Sequence, residues 1–240
     1  MYVSQGELLY AGKAKSVYRT DNRGELLIRF RDDITAFDGA KKDCFTGKGT
    51  YNARISAFFF RYLEKHGVRT HFISVCEDSS MIVRALKMIP IEIIVRNIAA
   101  GSMVKNFPIE AGTTLSPPVI VIDYKDDAKH DPMLNDDLII TLKIATPDEL
   151  REIKQIALQI NRILAEYLAE RGIHLVDFKL EFGKCEDTIF VGDEISMDSM
   201  RLWDANTGES LDKDVYRFEK GDVMEAYRQV AERILADQEG

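Results

Sequence analysis

The chain has 240 residues, of which 45% are hydrophobic and 30% charged, so it has the composition of a globular protein with one large domain or two small ones. Its net charge of −8 disfavours nucleic acid as a partner, because binding to a phosphate backbone depends on surplus lysine and arginine. No apolar run approaches the roughly 18 residues that cross a bilayer, and the first residues lack a basic and then apolar leader, so we expect a cytoplasmic protein with no membrane partner.

The first third of the chain has the pattern of a β-rich unit. Apolar strand segments alternate with turn residues over 7–30, which predicts a hairpin or meander whose first loop contains Lys13 and Lys15 beside Gly12. These lysines suit a lid over nucleotide phosphates, but a solvated hairpin tip is the simpler alternative. The elements that follow are a polar loop with at most a short strand over 31–49, a helix over 51–66 ended by Gly67, and strands near 70–76 and 81–85.

A strongly β-prone segment at residues 91–95 is interrupted by charge on one face. Glu92 and Arg96 share that face, and the strand then runs into small residues that let a ligand approach the backbone. The guanidinium group of Arg96 would donate two hydrogen bonds to a phosphate or carboxylate, and Ser102 would add its hydroxyl group. An internal ion pair between Glu92 and Arg96 is an equally compatible interpretation.

The clearest helix is predicted to begin at Thr146. A capping residue, Pro147 at the first helical position and Glu149 three residues after the cap mark its start, and an apolar stripe continues to Gly172. The neighbouring segments are a strand at 119–124, an ionisable surface or binding loop at 125–131, a loop at 196–208 and a final helix at about 222–236.

Residues 175–195 predict two strands joined by a short turn, and charge concentrates there. Asp177, Lys179 and Glu181 share one strand face, while their apolar neighbours share the other. If the connecting loop has five residues, Asp193 pairs with Lys179 and joins the charged face. Carboxylates beside a lysine are suitable ligands for a Mg²⁺ ion that also binds the phosphates of a polyphosphate. The alternative is an amphipathic hairpin whose polar face is merely wet.

Taken together, these segments resemble the phosphoribosylaminoimidazole-succinocarboxamide synthases (SAICAR synthetases) of purine biosynthesis. Two segments carry most of the resemblance, residues 89–102 and residues 175–183. Shorter motifs occur in the expected order, namely Gly12-Lys13-Ala14-Lys15, Gly47-Lys48-Gly49, His130-Asp131-Pro132, Gly192-Asp193-Glu194 and Arg201-Leu202-Trp203-Asp204. The resemblance therefore spans nearly the whole chain.

The resemblance implies an ATP-dependent ligase that condenses carboxyaminoimidazole ribonucleotide (CAIR) with L-aspartate and releases SAICAR, ADP and phosphate. It implies Mg²⁺ as the cofactor, ATP as a co-substrate and a homodimer as the assembly. The implied fold is α+β: residues 1–86 form a β-rich ATP-binding lobe similar to kinase and ATP-grasp lobes, and residues 87–240 form a larger α+β part that binds substrate and metal.

The resemblance also assigns roles to single residues. The implied roles are ATP binding for Lys13, Lys15 and Met88, metal ligation for Glu181 and Asp193, reaction chemistry for Asp177 and Lys179, and substrate binding for Arg96, Ser102, Arg201 and, in the loop near the aspartate, Asp131. Two positions depart from many relatives, Ala40 where an acid is frequent and Asp126 where asparagine is frequent. They affect roles in the loops and leave the reaction unchanged.

Two other functions are compatible with a nucleotide lobe and metal-binding carboxylates. A small-molecule kinase would transfer phosphate to a hydroxyl and would not need aspartate. A non-catalytic nucleotide-binding regulator would bind ATP without turnover. Dependence of ADP release on aspartate separates the ligase from both.

Overall fold

The computed structural model describes residues 5–37 and 39–236, and most of the first third forms an antiparallel sheet. The order of its five strands is β1-β2-β3-β7-β6, and a separate hairpin, β4 with β5, follows β3. The strands are β1 (Leu8–Ala11), β2 (Lys15–Arg19), β3 (Glu25–Phe30), β4 (Asp33–Ala36), β5 (Lys41–Cys44), β6 (Phe72–Glu77) and β7 (Ser80–Arg84). The predicted meander is confirmed, and the polar segment contains a two-stranded ribbon where at most one short strand was expected.

A second antiparallel sheet, in the order β10-β9-β8-β11-β12, carries the segments that the sequence marks as charged. The long strand β11 pairs with β8 along one edge, and along its other edge with β13 over its first half and β12 over its second. The strands are β8 (Lys87–Ile98), β9 (Thr114–Tyr124), β10 (Met133–Leu134), β11 (Ile173–Cys185), β12 (Thr188–Gly192) and β13 (Met200–Asp204).

Helices cover the sheets and close one hydrophobic core. They are α1 (Lys48–Lys65), α2 (Ser102–Asn106), α3 (Asp136–Thr141), α4 (Pro147–Ala169), α5 (Asp214–Arg217) and α6 (Val223–Leu235). The predicted start of α4 is confirmed: Thr146 accepts the backbone N–H of Glu149, whose side chain returns to the backbone of Thr146. Helix α4 packs on β8 and β11, and α1 packs on the amino-terminal sheet and on α6. Within the described ranges, no helix is long and apolar enough to cross a bilayer.

One predicted loop is wrong. Residues 196–208 contain strand β13, in which Met200, Leu202 and Asp204 are buried and the residues between them are half-buried. Pairing with β11 satisfies the backbone of this five-residue strand. So short an alternation, between turn-forming residues, is a weak signal in the sequence alone.

The predicted register of the hairpin is also wrong. Ile189 pairs with Lys184 and Thr188 with Cys185, so the strands are joined by a turn of only two residues, in which Glu186 has φ 54°. The sequence lacks the Asn-Gly type of signal that normally marks such a turn. Strict alternation would then point Asp193 away from Lys179. However, β12 ends at Gly192 and Asp193 has φ 62°, so the chain turns and the carboxylate still reaches the charged face.

Candidate active site

The charged face of the second sheet is built on alternate residues of β11. The apolar set on its other face is confirmed as core, since Phe178, Leu180 and Phe182 are buried. Asp177 and Glu181 are also buried, with exposures of 6% and 2%. Burying two carboxylates is costly unless basic groups compensate them. The charged face is therefore organised by ion pairs, and the interpretation of a merely wet hairpin is wrong.

The first group on this face, which we call the arginine cluster, consists of Arg96, Ser102, Asp177 and Arg201. Asp177 is the register partner of Arg96 on β8 and of Arg201 on β13, so an arginine flanks it on each side. Its Oδ2 accepts from Arg96 Nη1 at 2.8 Å and from Arg201 Nη1 at 2.5 Å. Arg96 Nη2 donates to Ser102 Oγ at 2.9 Å. Arg96 thus pairs with Asp177, which rules out the alternative of a Glu92–Arg96 ion pair.

Two further contacts fix the guanidinium of Arg201. Its Nε donates to Asp214 Oδ2 at 2.6 Å. Gly101 lies directly against it with φ 57°, and a Cβ at that position would come within 2.7 Å of Arg201 Nη2. A glycine is required here both by the left-handed backbone and by the close approach. Arg96 and Arg201 line a small cavity of about 200 Å³.

The second group lies around Lys179, and we call it the lysine cluster. Its members are Lys15, Glu92, Lys125, Lys179, Glu181, Asp193 and Glu194. Lys179 Nζ donates to Glu181 Oε1 at 2.8 Å and to Glu92 Oε1 at 2.9 Å, and it lies 3.8 Å from Asp193 Oδ2. Lys125 Nζ contacts both carboxylate oxygens of Glu181. Burial lowers the pKa of Lys179, but the surrounding carboxylates, Glu181 first, outweigh it and hold the pKa well above its usual value.

Lys15 joins the lysine cluster from the amino-terminal sheet. It is the first residue of β2, and its Nζ lies 2.6 Å from Asp193 Oδ1 and 2.9 Å from Glu194 Oε1. Burial opposes both charges, but their attraction prevails: Asp193 and Glu194 raise the pKa of Lys15, while Lys15 and Lys179 lower that of Asp193. The two sheets therefore meet at an ionised contact between residues far apart in sequence.

The donor set fits a hard divalent cation with few protein ligands. Glu181 and Asp193, the predicted metal ligands, both lie within 4 Å of the same nitrogen, Lys179 Nζ, at 2.8 and 3.8 Å. Among the residues described, no group of three or more His, Cys, Asp and Glu side chains is arranged to hold a metal. Mg²⁺ typically uses one or two carboxylates and completes its shell with substrate phosphates and water, so two carboxylates suffice.

The remaining predicted residues lie around these clusters. Met88 is exposed at the start of β8, and its Sδ lies 3.5 Å from an ideal Cβ built at Gly192, next to Asp193. Lys13 is exposed in the turn between β1 and β2. Asp131 accepts the backbone N–H of Asp126 and lines a cleft of about 800 Å³ that also includes Arg96 and Ser102. Within each cluster the predicted residues are thus in direct contact, whereas Met88, Lys13 and Asp131 lie outside these contacts.

Sequence reasoning missed three members of the lysine cluster. Glu92 was considered as a partner of Arg96 and instead pairs with Lys179. The sequence places Lys125 only in a surface or binding loop, yet its side chain contacts Glu181. Glu194 was noted only as part of a motif, and it pairs with Lys15. Glu92 and Glu194 have local signals, since Glu92 interrupts an apolar strand and Glu194 follows Asp193 at the end of the hairpin, but neither signal identifies the lysine that it contacts.

Comparison of the sequence and of the structure with known proteins gives matches to one family over nearly the whole chain. The family model described as SAICAR synthetase matches residues 8–234. The chain belongs to the SAICAR synthetase family. The phosphoribosylaminoimidazole-succinocarboxamide synthase of Methanoregula boonei is 66% identical over 98% of this chain and 92% of its own length. A solved SAICAR synthetase (Type-2) in complex with ADP is 50% identical, covers 96% of this chain and 98% of its own, and has a TM-score of 0.93. The enzyme of Pyrococcus horikoshii OT3 is 49% identical, with coverage of 93% and 98% and a TM-score of 0.90.

Membership of the SAICAR synthetase family confirms the predicted α+β fold and the predicted reaction. The chain is an ATP-dependent ligase of purine biosynthesis that condenses CAIR with L-aspartate. The kinase and regulator alternatives are thereby excluded.

Proposed function

We propose that the two clusters divide the substrates of this reaction between them. The lysine cluster would receive the phosphates of ATP and the metal, and the arginine cluster would receive the ribonucleotide. The observation that carries the proposal is their placement on one strand: Asp177 belongs to the arginine cluster, and Lys179 and Glu181, two and four residues later on the same face, belong to the lysine cluster. The carboxylate of CAIR and the γ-phosphate of ATP would therefore meet above Lys179.

In this proposal, ATP binds where the amino-terminal sheet meets the lysine cluster. Lys15 already contacts Asp193, and Met88 lies beside Gly192, so a nucleotide with its adenine at Met88 would place its phosphates at Lys15 and Asp193. Lys13, in the adjoining turn, would add a second ammonium group. The SAICAR synthetase solved in complex with ADP supports the nucleotide itself as a ligand.

Mg²⁺ would be held by Glu181 and Asp193. When bound, the ion would neutralise the phosphate charge that develops during transfer. Lys15, Lys125 and Lys179 hold these two carboxylates in place, and all three ammonium groups can also contact phosphate oxygens. Such fixed charges act without reorganisation at the moment of reaction.

The ribonucleotide phosphate would bind to Arg96, Ser102 and Arg201. Guanidinium groups bind phosphate through two parallel hydrogen bonds, and Asp177 between them fixes both forks in advance. Asp177 and Lys179 then lie along the path from the phosphate to the reacting carboxylate. L-Aspartate would enter from the larger cleft, where Asp131 lies.

The chemistry explains why a nucleophilic serine or cysteine is not needed. A carboxylate is a poor acyl donor, so its oxygen first takes the γ-phosphoryl group of ATP. The aspartate nitrogen then forms the new C–N bond while the C–O bond to phosphate breaks. Both steps depend mainly on positioning and on neutralisation of charge, which the two clusters can supply.

ADP release with purified protein, ATP and Mg²⁺ tests the reaction on which this division of substrates rests, and Arg201→Ala tests the division itself, because it should raise KM for CAIR without an equal rise in KM for ATP. We expect release only when both CAIR and L-aspartate are present. Release that ignores aspartate, or that continues when CAIR is replaced by a simple alcohol, would contradict the ligase assignment. A cytoplasmic location and a homodimeric state stay predictions.

A further inference from the structure

Asp123 is a carboxylate of the substrate cleft to which the proposed function gives no role. In the second sheet it is the register partner of Glu92 on β8, and Glu92 is in turn the partner of Glu181 on β11. Side chains at paired positions lie on the same face of a sheet. Asp123 therefore extends the charged face by one strand, away from the lysine cluster and towards the 800 Å³ cleft that it lines with Arg96 and Asp131.

Asp123 differs from the other acids of this face in having no basic partner. Glu92 and Glu181 bind Lys179, and Asp177 binds two arginines. Within residues 5–37 and 39–236 no hydrogen bond or ion pair is made by the carboxylate of Asp123, although the residue is half-buried. A half-buried carboxylate is costly without a partner, so its position in a substrate cleft suggests that the partner is part of a substrate.

The surroundings of Asp123 favour a cationic partner. The charged and titratable groups facing it or lining the same cleft are Glu92 and Arg96 on β8, His130 and Asp131 in the loop after β9, Asp136 on α3 and Lys154 on α4. Lys154 is paired with Asp136, and Arg96 with Asp177. ATP and CAIR are anionic, so the α-ammonium group of L-aspartate is the only organic cation among the three substrates.

We propose that Asp123 binds the α-ammonium group of L-aspartate and accepts one of its protons before the nitrogen attacks. This inference rests on the proposed function. An ammonium nitrogen has no free electron pair, so one proton must pass to Asp123 before the C–N bond can form. The C–O bond to phosphate then breaks with its electron pair on phosphate, and the second proton leaves the nitrogen to the released phosphate. Asp123 returns its own proton to water.

The position of Asp123 allows this role. Two strand spacings separate Asp123 from Glu181, roughly 10 Å, with Glu92 between them. Lys179 Nζ donates to Glu92, the register partner of Asp123, so an amine at Asp123 would lie about one strand spacing from a carboxylate held above Lys179. Burial, with Glu92 next in effect, raises the pKa of Asp123 to about 6, so the group is ionised at neutral pH and is a stronger base than an ordinary aspartate.

The test compares Asp123→Asn with Asp123→Glu in the full-length protein. Loss of a general base typically lowers rates by about 100-fold or more. We expect Asp123→Asn to lower kcat/KM for aspartate by about 100-fold or more, with KM for ATP and for CAIR within about threefold of wild type. The fall of wild-type kcat/KM for aspartate below about pH 6 should disappear in this variant. Asp123→Glu should recover at least about a tenth of the lost activity.

Asp148→Asn is the control, since it removes an exposed carboxylate that is paired with Arg151 at the start of α4 and does not line the cleft. It should leave all three KM values within about threefold of wild type. Three results would overturn the inference: unchanged kcat/KM for aspartate in Asp123→Asn, a rise in KM for CAIR as large as that for aspartate, or an acid limb that persists. The wild-type enzyme tests the proposed function separately, because failure there would appear as ADP release without aspartate.

Discussion

Replacing Arg201 with alanine should separate the ribonucleotide site from the ATP site. The side chain donates to Asp177 and Asp214, and in the variant these carboxylates keep Arg96 at 2.8 Å and Arg217 at 2.6 Å, respectively. Neither Asp177 nor Asp214 is left without a basic partner, so the variant should still fold. The loss in stability should stay below the 3–5 kcal/mol that follows when a buried charge is orphaned.

The binding effect of Arg201→Ala follows from the contact it removes. A hydrogen bond to a charged group contributes about 1.5–3 kcal/mol, which corresponds to roughly 10- to 150-fold in affinity. We therefore expect KM for CAIR to rise by that factor while KM for ATP changes less than about threefold, because the guanidinium contacts no residue of the lysine cluster.

The assay for Arg201→Ala is steady-state ADP release with one substrate varied and the others saturating. Arg228→Ala is a suitable control, since Arg228 lies exposed on α6 and forms ion pairs with Glu225 and Glu232. It should change neither KM. Equal increases in both KM values of Arg201→Ala would refute the division of the charged face into two sites.

Two further substitutions test the clusters separately. Glu181→Gln removes the charge that Lys125 and Lys179 compensate, and we expect kcat to fall by roughly 100-fold or more and the Mg²⁺ requirement to rise in a metal titration; wild-type turnover would contradict the metal assignment. Gly101→Ala would press on Arg201 and should raise KM for CAIR about tenfold, whereas Gly112→Ala, which also places a side chain at positive φ (83°) but meets nothing within 4 Å, should leave that KM unchanged. Similar KM values for both glycine variants would show that only backbone strain matters.

The sequence predicts well those features that depend on neighbouring residues. The start of α4 is an example, because Thr146, Pro147 and Glu149 interact within one helical turn. The core face of β11 is another, since strand alternation alone assigns its apolar residues to one side. Asp177 and Glu181 were identified for the same reason.

The features that the sequence did not predict depend on contacts between distant segments. Lys125 reaches Glu181, 56 residues away, and Lys15 reaches Glu194, 179 residues away. The helical and strand periodicities of the sequence give no information about such distant pairs. The position of Asp193 shows a related limit: the predicted register was wrong, and its carboxylate faces Lys179 only because its φ of 62° turns the chain at the end of β12. Tertiary packing decides such a backbone conformation, which is uncommon for a residue other than glycine.

The local pairing of charges also explains how a protein with a net charge of −8 can bind anionic substrates. At physiological ionic strength the field of an exposed charge is screened within about 8 Å, so acidic residues elsewhere on the surface have little effect in the site. Within the site, each basic group is already held by carboxylates, which offsets the cost of burying it. The same carboxylates fix the guanidinium and ammonium groups before any substrate arrives, and preorganised charges stabilise a phosphoryl transfer without further reorganisation. In the proposed site, the pairing of acids and bases on one strand face therefore offers fixed positive groups to anionic substrates in a protein whose overall composition is acidic.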